Sequence, residues 1–66
     1  MTETLVDALT AEIARNRELL ALYKAIPAGA FGATMIEQDI QAAIAALASG
    51  DAIEIMRAHE ALKGNE

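Results

Sequence analysis

The strongest constraint on this chain is an apolar seam that runs into a proline. Val6, Leu9, Ile13, Asn16, Leu20 and Tyr23 recur at alternating steps of three and four residues, and Pro27 follows shortly after. Such steps bring side chains onto one face of an α-helix. Proline has no N–H and disfavours helical geometry in the residue before it, here Ile26. The seam therefore predicts a helix over about 5–25. Thr4 and Asp7 open it as a box-like pair, a hydroxyl and a carboxylate serving the free N–H groups of the first turn. Leu19, Leu22 and Ile26 widen the apolar face towards its end.

Beyond the proline, Thr34 and Glu37 form an S/T-x-x-E pair, which predicts a second helix over about 35–48 with Thr34 as its cap. Ile36, Ile40, Ala43, Ile44 and Leu47 supply its stripe, and the surrounding alanines make it thin enough for close approach by a neighbour. Gly50 suits a left-handed helix end, and Asp51 with Glu54 opens a third helix over 52–63. Ala52, Ile55, Met56, His59 and Leu62 line one side of it, and Gly64-Asn65 ends it. The expected architecture is all-α, one domain over 1–66, with a long helix and two shorter ones. They form a helical hairpin whose returning arm bends at Gly50.

A hairpin of this kind leaves half its apolar face uncovered. Sixty-six residues without a cysteine, and with alanine supplying 16 of the hydrophobic positions, make a marginal core. A second copy would cover the open face, so a homodimeric helical bundle is expected. The residues expected at the dimer seam or a partner contact are Leu9, Ile13, Asn16, Leu20, Tyr23, Phe31, Ile40, Ile44 and Leu47.

Charge narrows the partners. The net charge is −5, and residues 27–50 hold Glu37 and Asp39 but no base. Phosphate backbones and anionic membranes are bound through Lys and Arg, so neither direct nucleic-acid nor membrane binding is expected. The longest uncharged run, Ala25 to Ile36, is 12 residues, too short to span a bilayer. Acids where a signal peptide carries bases predict no export signal, and a cytoplasmic location is expected.

The glycine-containing loop "IPAGAFGATM" fails each ligand template it approaches. A phosphate loop needs Lys, a dinucleotide loop needs a preceding strand and a third Gly, and a KH-type G-x-x-G needs basic β-sheet surroundings. The GAFTGA loop of enhancer-dependent activators has a Thr that is missing here. The remaining reading is structural: Pro27 stops a helix, Gly29 and Gly32 allow positive φ or close approach, and Thr34 caps. Phe31 is expected to fold back as a plug in the core or dimer seam, with anchoring of a partner protein as the other reading.

Asn16 carries two readings, an edge residue reaching water or a buried amide that pairs with a second copy and sets register. Arg15 to Arg17, "RNR", lies among Glu12 and Glu18 and reads as a solvated face. His59 is the only histidine, and Ser49 sits in a helix break. Neither has partners at catalytic or metal-ligating spacing, so no enzyme activity, cofactor or metal is expected.

"NRELLALYKAIPAGAFGATMIEQDI" and the closing "RAHEALKGNE" resemble small helical proteins encoded by bacterial prophages and phages. The resemblance covers most of the chain from Asn16 onward. It implies a bacterial cytoplasmic setting and an accessory role in a phage life cycle, and carries no activity to transfer. The expected function is non-enzymatic self-association and protein–protein interaction. The alternative is an acidic inhibitor that occupies a basic site on a nucleic-acid-binding protein.

Overall fold

In a computed structural model, residues 4–66 are described. The first three residues, on which the expectation of no export signal partly rests, lie outside that range. Three helices follow one another: α1 over Leu5–Lys24, α2 over Ala30–Ser49 and α3 over Ala52–Lys63, with a 3-10 turn at Pro27–Gly29 between α1 and α2. There is no strand among the described residues.

The start of α1 is a complete capping box. The Asp7 amide donates to Thr4 Oγ1 at 3.0 Å, and the Thr4 amide donates to Asp7 Oδ2 at 3.3 Å. Ile26 is extended (φ −97°, ψ 125°), as a residue before proline must be, and Pro27 opens the 3-10 turn. Gly50 closes α2 at φ 69°, the left-handed position. Asp51 Oδ1 then accepts from the amides of Ile53 and Glu54 and caps α3.

The expected second helix is corrected at its start. It begins at Ala30, so Phe31, Gly32 and Thr34 are helical, and α2 is as long as α1 at 20 residues. Thr34 caps nothing. Its hydroxyl donates to the Ala30 carbonyl at 3.1 Å, one turn back along the same helix. Of the loop glycines, neither Gly29 nor Gly32 has a positive φ. What they provide is close approach. A Cβ on Gly32 would lie 2.6 Å from the Tyr23 ring, and one on Gly29 would collide with the Tyr23 carbonyl oxygen. Tyr23 thus lies against α2 because residue 32 has no side chain.

The broken hairpin is corrected too. α3 does not extend α2; it folds back and packs against both α1 and α2, completing a three-helix bundle. The core holds six larger aliphatic side chains, Leu9, Ile13, Ile36, Ile40, Ile55 and Leu62, with Ala33, Ala43, Ala46 and Ala58 filling between them. Several expected stripe positions shift. Val6, Ile44 and Met56 are exposed, as is Ala52, while Ala33, Ala46 and Ala58 take inward places. The bundle is also long and flat, 39 × 24 × 16 Å, with a radius of gyration of 12.2 Å. A globular chain of this length averages about 11 Å, so this shape leaves more surface per residue.

Candidate interaction surface

Two regions outside the apolar core hold residues singled out from the sequence. One is a polar knot between α1 and the end of α3; the other is the outward face of α2.

The knot is built on Asn16, which is fully buried. Its side-chain amide donates to the carbonyls of Glu12 (2.8 Å) and Leu62 (3.2 Å), and its Oδ1 accepts from the Asn65 amide (3.0 Å). That Asn65 amide also donates to Asp39 Oδ2 at 3.1 Å, tying in α2. Arg15 donates to the carbonyls of Leu62 (2.7 Å) and Asn65 (2.9 Å) while pairing with Glu12 at 2.9 Å. The Tyr23 hydroxyl donates to the Glu66 carbonyl. A helix C-terminus presents unpaired carbonyls and negative dipole charge, so a guanidinium and two neutral donors satisfy it well. No buried side-chain polar atom among the described residues lacks a partner.

These contacts revise both readings of Asn16. It does not reach water, and the asparagine it pairs with lies in its own chain. Arg15 and Arg17 are exposed, as a solvated face requires, and Arg15 in addition holds the end of α3.

Beside the knot, Tyr23, Gly32, Met35, Ile36 and the tail from Gly64 to Glu66 line an open depression of about 170 Å³. Pockets for drug-sized ligands run from roughly 300 Å³, so this one is small. His59 is half-buried on α3, with Nδ1 4.0 Å from the adjacent Glu60 carboxylate. Among the described residues, no three His, Cys, Asp or Glu side chains are placed to hold a metal ion.

The outward face of α2 has a different character. Phe31, Thr34, Met35, Gln38, Ala42, Ala45 and Ser49 are all exposed, and none is charged. The helical repeat places them opposite the core stripe Ala33, Ile36, Ile40 and Ala43. The only charged residues of α2 are Glu37, on the flank, and Asp39, bonded to Asn65. Outward faces of the other helices are charged as solvated faces usually are: Asp7, Arg17, Glu18 and Lys24 on α1, and Glu54, Arg57, Glu60 and Lys63 on α3.

Phe31 dominates this face. It is 79% exposed, so the expectation that it plugs its own core is corrected. The physical reason is the early start of α2. As a helical residue four before Met35, Phe31 shares that residue's outward direction instead of folding back from a loop. Met35 is 45% exposed beside it, and Leu22 and Ile26 are more than half exposed at the same end of the bundle.

Of the other expected contact residues, Leu9, Ile13, Asn16 and Ile40 are buried within the chain, and Leu20, Tyr23 and Leu47 are half-buried against its core. Ile44 is exposed on the flank of α2. No described helix is long and apolar enough to cross a membrane. Comparison with protein-family models, characterised proteins and solved structures finds no significant match.

Proposed function

We propose that this chain is a small self-associating helical module, without catalytic chemistry, that works through the outward face of α2. The observation that carries this reading is the uncharged exposed seam from Phe31 through Met35, Gln38, Ala42 and Ala45 to Ser49. Solvated helix faces ordinarily carry charge, and an uncharged face that exposes large apolar side chains is the kind that marks a contact. Phe and Met are enriched, and charged residues depleted, at the cores of protein interfaces.

Energetics favour a homodimer in particular. Six larger aliphatic side chains are a thin core for a chain this short, and association would supply the missing burial. The face that a second copy covers is not the one expected from a two-layer hairpin, because α3 already lies over that one. The resemblance to prophage-encoded proteins fits an accessory role of this kind. An inhibitor of basic sites finds less support, since the face most available for contact has no carboxylate to offer.

The test is a set of circular dichroism melts across an about 100-fold range of protein concentration, because a folded dimer gains stability by mass action. The midpoint should climb with concentration in the wild type and stay flat in Phe31→Ala. A wild-type midpoint independent of concentration would refute the reading.

A further inference from the structure

We infer that two copies pair α2 against α2 in antiparallel fashion about a two-fold axis at the middle of the helix. This rests on the self-association reading above and specifies its geometry.

The first observation is the order of side-chain size along the face. Phe31, Met35, Gln38, Ala42, Ala45 and Ser49 follow steps of four and three, so they form one straight seam on the outward side. Bulk lies at the start of the helix and small residues at its end. An isologous pair turns this gradient into complementarity, because each residue meets a different residue of the other copy. Centred on the helix midpoint, the pairing sets Phe31 opposite Ser49, Met35 opposite Ala45 and Gln38 opposite Ala42. Each large side chain then faces a small one. A parallel pair would stack Phe31 on Phe31 and leave the alanine half a void, which close-packed interfaces do not tolerate.

The helix dipoles favour the same direction. Antiparallel pairing opposes the two α2 dipoles, whereas parallel pairing would align them, and the seam itself brings no carboxylate against the second copy.

The chain has no cysteine, so single introduced thiols report the geometry directly. In the inferred register, Met35 lies opposite Ala45 of the second copy, while each lies roughly 15 Å along the axis from its own counterpart. Under mild oxidation, mixed Met35→Cys and Ala45→Cys chains should link to each other, and Ala45→Cys alone should stay unlinked at the same concentration. Linking of Ala45→Cys to itself as readily as to Met35→Cys would overturn the antiparallel geometry while leaving self-association standing. A dimer by sedimentation in which the mixed chains do not link would also overturn it. A wild type that is monomeric at the same concentration would remove the self-association reading itself.

Discussion

At the scale of single residues, the bundle depends on two close fits. Asn16 is a fully buried amide with both ends bonded, two carbonyls on one side and Asn65 on the other. Its replacement by alanine should cost roughly 1–3 kcal/mol in urea unfolding, since partners are lost in a place water does not reach. Gly32 gives a sharper test because its sign is unusual. Glycine to alanine within a helix ordinarily stabilises by about 1 kcal/mol. Here the added methyl meets the Tyr23 ring, so Gly32→Ala should instead destabilise, by about 1–3 kcal/mol. In a Tyr23→Ala background the same change should become neutral or stabilising. The seam spacing placed Asn16 among Leu9, Ile13 and Leu20, but two of its three partners lie 46 and 49 residues away. No local pattern identifies contacts at such separation.

At the scale of elements, starts and stops were legible where chemistry is local. The Thr4–Asp7 box, the extended Ile26 before Pro27, the left-handed Gly50 and the Asp51 cap all occur at the places their residues indicate. The start of α2 was not, because two signals competed. A capping pair at Thr34 and Glu37 argues for a late start, as do Gly29 and Gly32 with their low helix propensity; what starts the helix earlier is the turn set by Pro27 and the packing of Gly32 against Tyr23. Stability measurements separate the two directly. Asp51→Ala should cost about 1 kcal/mol as a lost cap, whereas Thr34→Ala should be neutral or slightly stabilising, because alanine is the better residue inside a helix. A loss at Thr34 equal to that at Asp51 would place the helix start at Thr34 after all.

At the scale of the whole molecule, the all-α character was legible from periodicity alone, and the arrangement was not. Helix lengths inferred as 21, 14 and 12 residues suggested a broken arm matched to α1; with α2 at 20 residues, α3 must turn back and cover the hairpin. That single change moves the unpartnered surface from the inside of a hairpin to the outside of α2. It also turns Phe31 from a plug into the most exposed large apolar side chain of the described chain. Ala45 sits in the middle of that surface, is exposed, and tolerates glutamate as a helical residue. Sedimentation equilibrium of wild type beside Ala45→Glu, with circular dichroism on both, therefore probes the surface without disturbing the fold. A wild-type dimer and an Ala45→Glu monomer of equal helix content are the expected result. A monomeric wild type, or a variant that remains dimeric, would contradict it.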